Sequence, residues 1–216
     1  MTTQSKLSGG SMADIELMEA TAEPIQTRAK RLKQRTALAH ERLDRRIMSA
    51  DPFASRERYA QFAKVQYEFH RDIAALYEDQ ALARLVPDLG SRRRLELIAQ
   101  DLIDIGAPVS TYDGAPHFSA GFAADVPTAL GWLYVAEGSN LGAAFLLKEA
   151  AKIVLSEVFG ARHLAAAPEG RGAHWKSFVT ALDNVRLSEI EEQRAIAGAE
   201  AAFLRVHVLV EQYLRV

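Results

Sequence analysis

The sequence predicts an all-α, single-domain helical bundle. Apolar residues recur at three- and four-residue steps over long stretches, and no window keeps the strict alternation of a half-buried strand. These stretches leave no room for a sheet of useful size, and no linker divides the chain. At 216 residues, the chain has the length of one domain with a sizeable core.

Periodicity and capping residues predict the helices in order. The first ends before Pro52, Ser55 can cap the second, and Gly106 ends the third. The longest begins after Asp125 with a proline in its first turn, and it is expected to change direction at its glycines. Ser110–Gly121 is rich in turn residues and is predicted to be a loop. The predicted helices span residues 24–49, 55–85, 91–105, 125–159, 172–184 and 188–214.

Composition excludes several classes of function. The chain has no cysteine, so disulfides, thiolate zinc sites and cysteine nucleophiles are ruled out. Its net charge of -2 gives no reason to expect a nucleic-acid partner. No apolar run approaches the roughly 18–20 residues of a membrane span, and no signal peptide is recognisable. We therefore expect a cytoplasmic protein without a membrane partner, with residues 1–22 a flexible leader or expression remnant and 23–216 the folded domain.

His40 is the histidine whose position favours a functional role. It lies along the apolar side of the first helix, between Thr36 and Leu43, so we expect its imidazole to point into the bundle. A neutral imidazole among apolar walls suits an axial haem ligand. The alternative is a core histidine that donates to a backbone carbonyl. The remaining histidines lack metal-ligand spacing and are interpreted as structural or surface residues: His117, His163, His174 and His207.

Two glycines interrupt the longest helical pattern. Gly138 and Gly142 are four residues apart, which places both on one face. Each costs about 1 kcal/mol relative to alanine, so a reason is needed. Either a flat ligand or a neighbouring helix comes close to the backbone here, and spacing alone leaves both possibilities open.

Two segments resemble the bacterial haem oxygenases of the Neisseria and Pseudomonas type. AHERLD at residues 39–44 resembles their proximal helix, and LGWLYVAEGSNLGAAFLLK at 130–148 resembles their distal helix. DPFASRERYAQF, FGARHL and WKSFV extend the resemblance over the chain from about residue 28 onwards. It implies that haem is sandwiched between the two helices and that O2 and electrons convert it to biliverdin, carbon monoxide and ferrous iron.

The resemblance also implies roles for individual residues. His40 would bind the haem iron, and the backbone of Gly138, Ser139 and Gly142 would lie over the opposite face. A polar network that orders water there would include the following residues: Gln66, His70 and Tyr134. For each of these, a structural or surface role is the alternative.

Lys33 precedes His40 by seven residues on nearly the same face and matches a lysine that contacts a haem propionate in the resembling proteins. Members that rotate the haem lack this cation and carry a lysine in place of Asn140, so the resemblance implies α-meso cleavage to biliverdin IXα. The alternative for Lys33 is a solvated surface lysine. Phe203 and Arg205 lie in a region of the last helix that borders haem in the resembling proteins, without an assigned role.

No flavin or nicotinamide motif is recognisable, so electrons are expected from a separate reductase or ferredoxin, and the protein is expected to act as a monomer. Two alternatives remain at this point. One is a haem-binding protein of the same fold without turnover, and the other is a helical hydrolase of the thiaminase kind. The sequence does not separate iron acquisition from chromophore supply as the biological role.

Overall fold

The computed structural model describes residues 26–109 and 114–215. The predicted leader and the start of the predicted Ser110–Gly121 loop lie outside these ranges. The described helices are α1 (Arg28–Ser49), α2 (Arg56–Asp72), α3 (Gln80–Leu85), α4 (Leu95–Asp104), α5 (Val126–Lys152), α6 (Arg171–Asn184) and α7 (Glu189–Tyr213). Short 3-10 turns lie at Ala74–Glu78, Leu89–Arg92 and Arg162–Leu164. No strand is present in the described ranges, which confirms the all-α prediction.

Side-chain caps begin most of the long helices where they were predicted. Ser55 accepts from the backbone N–H of Arg58, and Asp125 accepts from that of Thr128. Ser188 forms a reciprocal capping box with Glu191 at the start of α7. These caps satisfy N–H groups that have no partner within the helix.

The predicted helices differ from the structure at several boundaries. The third begins at Leu95 instead of residue 91, because Leu89–Arg92 forms a separate 3-10 turn. Residues 55–85 form α2, a 3-10 turn and α3, because Asp79 accepts from the N–H groups of Ala81 and Leu82 and starts a new helix. The longest helix ends at Lys152 instead of residue 159, because Val154 adopts a left-handed conformation with φ of 61°. The helix continues through Gly138 and Gly142 without interruption.

The centre of the fold is the close crossing of α5 and α7. A Cβ at Gly131 would overlap the carbonyl oxygen of Ala195, and a Cβ at Gly198 would overlap that of Thr128. The two backbones therefore touch without side chains between them. Both helices also contribute large side chains to the buried core, including Trp132, Leu130 and Leu209.

Helix α1 runs parallel to α7 and is bound to it at both ends. Near its start, the buried Arg28 pairs with Glu192 at 2.7 Å and donates to the carbonyl of Val185. Near its end, Arg46 pairs with Glu211 at 2.6 Å and donates to the carbonyl of Leu214. These contacts fix the position of α1 along α7.

Within the described ranges, no helix has the length and apolarity needed to cross a membrane.

We predict that Gly198→Ala lowers the free energy of unfolding by about 1–3 kcal/mol, because the added methyl group must push α5 and α7 apart. Urea unfolding would measure the loss. The matched control is Gly172→Ala in α6, where a Cβ meets nothing within 4 Å. Equal unfolding midpoints for Gly198→Ala and the wild type would show that the crossing tolerates side chains.

Candidate active site

His40 lies on the outer face of α1. Its side chain is 63% exposed, so the expectation that it points into the bundle was wrong. The buried side of α1 carries Leu32, Thr36 and Leu43. His40 lies about 100° around the helix from the half-buried Ala39, and this rotation takes it out of the core. Its Nδ1 is 3.0 Å from the Asp44 carboxylate, which leaves Nε2 to bind a ligand. The edge of its ring packs against Phe203 of α7, with centroids 5.8 Å apart.

Lys33 shares this outer face of α1. It is exposed, and it precedes His40 by two turns, a rise of about 10 Å. The structure therefore leaves its ammonium group accessible on the His40 side of the helix.

The glycine segment of α5, residues 138–142, has an open face at its second glycine. A Cβ at Gly142 would meet nothing within 4 Å, and one at Gly138 would touch the Trp175 ring at 3.7 Å. Neither glycine therefore makes a close contact with another helix backbone, which was one of the two explanations for them. On α5, such a contact occurs at Gly131. Leu141 and Phe145 are exposed beside Gly142 and make this face apolar.

The polar residues of the glycine segment face in different directions. Ser139 is exposed, and its hydroxyl donates to the carbonyl of Ala136 at 2.7 Å. Asn140 is buried, and its backbone carbonyl accepts a hydrogen bond from the Arg171 guanidinium at 3.0 Å. Its Nδ2 finds no hydrogen-bond partner in the described part of the chain. A buried amide of this kind suits an ordered water molecule.

Tyr134 and Trp175 lie at the N-terminal end of the glycine segment. Their rings are 5.7 Å apart, and Trp175 stacks in turn on Phe178. Burial raises the pKa of Tyr134, so its hydroxyl stays protonated and can donate.

His70 is buried on α2, so the surface alternative for this residue was wrong. Burial, followed by the charges of His163 and Arg94, lowers the pKa of His70 to about 3. The imidazole is therefore neutral near pH 7 and cannot act as a strong acid there. Gln66 is half-buried one turn earlier on the same helix.

His163 is held by Asp101. Its Nδ1 is 2.8 Å from the Asp101 carboxylate, which also accepts from the backbone N–H groups of Arg162 and His163. Burial alone would raise the pKa of Asp101, but these contacts lower it below its usual range. The side chain is fully buried and fixes the orientation of His163.

The family model described as Heme oxygenase matches residues 26–212. The chain belongs to the haem oxygenase family. It is 47% identical over 185 residues to the heme oxygenase PigA of Pseudomonas aeruginosa, covering 86% of this chain and 92% of that protein. It is 31% identical over 150 residues to a heme oxygenase of Xanthomonas campestris, covering 68% of this chain and 86% of the relative.

Solved structures agree with this assignment. The NO- and CO-bound heme oxygenase of Neisseria meningitidis aligns with a TM-score of 0.81 and 41% identity, covering 87% of this chain and 92% of that one. The heme oxygenase of Leptospira interrogans aligns with a TM-score of 0.67 at 17% identity, covering 87% of this chain and all of that one, and supports the fold alone.

Three residues of this haem oxygenase contact the glycine segment or adjoin it but were not selected from the sequence: Glu137, Arg171 and Trp175. Glu137 is a carboxylate in an otherwise apolar run, which could have indicated a buried ion pair. Trp175 lies in the WKSFV segment that carries part of the resemblance. Arg171 shows no comparable signal, because its partner is a backbone carbonyl.

We predict that Asp101→Asn lowers the stability of this haem oxygenase at pH 7 by about 1–3 kcal/mol, because His163 and the two backbone N–H groups lose a charged acceptor. The folded-state pKa of Asp101 is lowered, so its stabilising contribution exists above the usual carboxylate range and disappears as pH falls through the folded pKa. The deficit of the variant should therefore shrink on acidification.

Urea unfolding from pH 7 down to the acid limit of the fold would measure this difference. Glu41→Gln is the control, because that carboxylate is 60% exposed and pairs with Arg45. A deficit that stays constant down to the acid limit would contradict the role of the Asp101 charge.

Proposed function

We propose that this chain opens the haem ring at a meso carbon, using O2 and electrons, and releases biliverdin, carbon monoxide and ferrous iron. His40 is the proposed iron ligand, through Nε2. The observation that carries the proposal is the accessible imidazole of His40, held at Nδ1 by Asp44, in a chain that belongs to the haem oxygenase family.

The residues near His40 fit haem. A carboxylate at Nδ1 keeps the proton on that nitrogen and makes Nε2 a better ligand. Phe203 packs against the imidazole edge and supports its orientation. Bound haem supplies the iron that activates O2 and is itself the ring that is opened.

On the opposite face of the proposed site, α5 offers backbone in place of side chains. Gly142 leaves space for a flat ring, and Leu141 and Phe145 present apolar surface beside it. Neutral donors and acceptors of Ser139, Tyr134, Gln66 and the uncharged His70 would order water at this face. These groups would supply hydrogen bonds without a strong acid.

Lys33 is the proposed cation for a haem propionate, because its exposed ammonium shares the His40 side of α1. Together with Asn140, it favours a haem orientation that yields biliverdin IXα. Electrons come from a separate reductase or ferredoxin, and the chain acts as a monomer in the cytoplasm. The identity of the pigment formed tests the orientation directly.

We predict that His40→Ala loses the absorption spectrum of an imidazole-ligated haem, because the axial nitrogen is removed. One equivalent of hemin would be added to wild type and variant, followed by ascorbate with catalase, and the pigment would be extracted and identified. The control is His207→Ala, which removes an exposed imidazole from α7.

Loss of the Soret band with formation of biliverdin IXα in the wild type would support both the activity and the Lys33 assignment. A different biliverdin isomer would overturn the orientation but not the activity. A Soret band that survives reduction would indicate a haem carrier. An unchanged spectrum in His40→Ala would place the ligand elsewhere.

We predict that Gly142→Leu lowers turnover by about a hundredfold while haem affinity changes less than about tenfold. A Cβ at this position meets nothing within 4 Å, so the added side chain is expected to act on the bound ring and not on the packing of the protein. Hemin titration and single-turnover rates would separate the two effects. Gly172→Leu, at another open helical glycine, is the matched control. A normal biliverdin yield from Gly142→Leu would remove α5 from the proposed site.

A further inference from the structure

A buried ion cluster lies directly before the glycine segment. The Glu137 side chain, fully buried on α5, is 3.0 Å from Arg92 and 3.4 Å from the hydroxyl of Tyr77. His174 of α6 completes the cluster, with its Nε2 3.4 Å from Glu137. Glu137 immediately precedes Gly138, so its partners act on the position of the segment.

His174 lies between two carboxylates. Its Nδ1 is 2.6 Å from Glu169, which precedes α6, while its Nε2 faces Glu137. A neutral imidazole has one N–H donor and one acceptor, so only the protonated ring can interact favourably with both carboxylates. Deprotonation must therefore weaken one of the two contacts.

The distances indicate which contact is lost. At 2.6 Å, the Glu169 contact is a strong hydrogen bond, and at 3.4 Å the Glu137 contact is an ion pair of looser geometry. The remaining proton should stay on Nδ1 with Glu169. Nε2 then presents a lone pair to Glu137, and the attraction between His174 and Glu137 is lost, while Arg92 still donates to both Glu137 and the carbonyl of His174.

Helix α6 contacts this part of α5 at two further points. Arg171 donates to the carbonyl of Asn140 at 3.0 Å, and Trp175 lies beside Gly138. His174 is therefore the titratable member of a set of contacts through which α6 holds the glycine segment.

We propose that His174 is a positioning residue of the distal segment: as an imidazolium it ties α6 to Glu137 and, together with Arg171 and Trp175, holds residues 138–142, and on deprotonation this hold is weakened. The proposal rests on the proposed function only in placing this segment over haem. Its direct test uses the haem-free protein, so its failure is distinguishable from a failure of the haem chemistry.

The charges around His174 set the direction of its pH dependence. The carboxylate of Glu137 raises the pKa of His174, burial lowers it, and the carboxylate of Glu169 raises it again. The charge of Arg92 opposes the carboxylates, and the net result is a pKa above the ordinary value. Tyr77 and Arg94 face Glu137 from the other side of the cluster. A raised folded-state pKa means that the link is complete at low pH and is lost as pH rises through that pKa.

Glu169→Gln is the decisive variant. The amide that replaces the carboxylate can donate to Nδ1, which moves the proton of the neutral ring to Nε2, where it can point at Glu137. The link should then survive deprotonation. Glu169 is half exposed, so this change removes no core contact. His174→Leu removes the link at every pH, and His207→Gln on the exposed face of α7 is the control.

Hydrogen exchange of amides 136–146, corrected for intrinsic rates, would be followed from about pH 6 to about pH 8.5, the range in which a histidine titrates. We expect wild-type protection to fall by about tenfold, as for the loss of one charge-assisted hydrogen bond, while the His207→Gln control follows the wild type. Glu169→Gln should stay protected, and His174→Leu should show the lower protection at every pH. Imidazole nitrogen spectra should show Nδ1–H in the neutral wild type and Nε2–H in Glu169→Gln.

Wild-type protection that does not change with pH would overturn the proposal, as would a Glu169→Gln curve that coincides with the wild type. If His174→Leu fails to fold, the comparison of Glu169→Gln with the wild type still decides. In the hemin complex, the pH midpoint of the visible spectrum should shift in Glu169→Gln but not in His207→Gln, and equal shifts in both would also count against the proposal.

Discussion

The backbone contact between α5 and α7 is the constraint on which the rest of the structure depends. Gly131 and Gly198 let the two helices touch without intervening side chains, so their relative position is set by main-chain atoms. Helix α1, which carries His40, packs on α7, and α6 packs on α5. Helix α7 therefore sets the distance between α1, which carries the proposed ligand, and α5, which carries the glycine segment. Phe203 of α7 also contacts His40.

The middle of α5 reverses the usual distribution of polarity. Its buried side carries Glu137 and Asn140, while its exposed side carries Leu141 and Phe145. A buried carboxylate is tolerated because Arg92 and His174 neutralise it, and exposed apolar side chains around an open glycine are a feature of ligand-binding grooves. A buried charge and exposed apolar surface both lower the stability of the fold, and here both lie in or next to the segment between Gly138 and Gly142.

Periodicity and caps, which are local, predicted the number of long helices and most of their starts, but not the break before Asp79 or the end of α5 at Lys152. The same pattern singled out His40 and the glycine segment, and the resemblance supplied their roles. The Glu137 cluster and the exposure of His40 could not be predicted from the sequence, because both depend on contacts between residues far apart in the chain. The partners of Glu137 come from three other parts of the chain, and the exposure of His40 depends on a rotation of about 100° that periodicity does not resolve. Likewise, nothing in the pattern distinguishes Gly131, which meets a backbone, from Gly142, which meets open space.

The parallel pairing of α1 and α7 also bears on how the end of the chain can be altered. Glu211 and the carbonyl of Leu214 hold Arg46, nearly two turns beyond His40 on α1. Shortening the chain before these residues would remove the ion pair and the hydrogen bond that hold the end of α1 against α7. The last turn of α7 is therefore part of the support of the site, and affinity tags or fusions are better placed so that residues 211–214 keep their contacts.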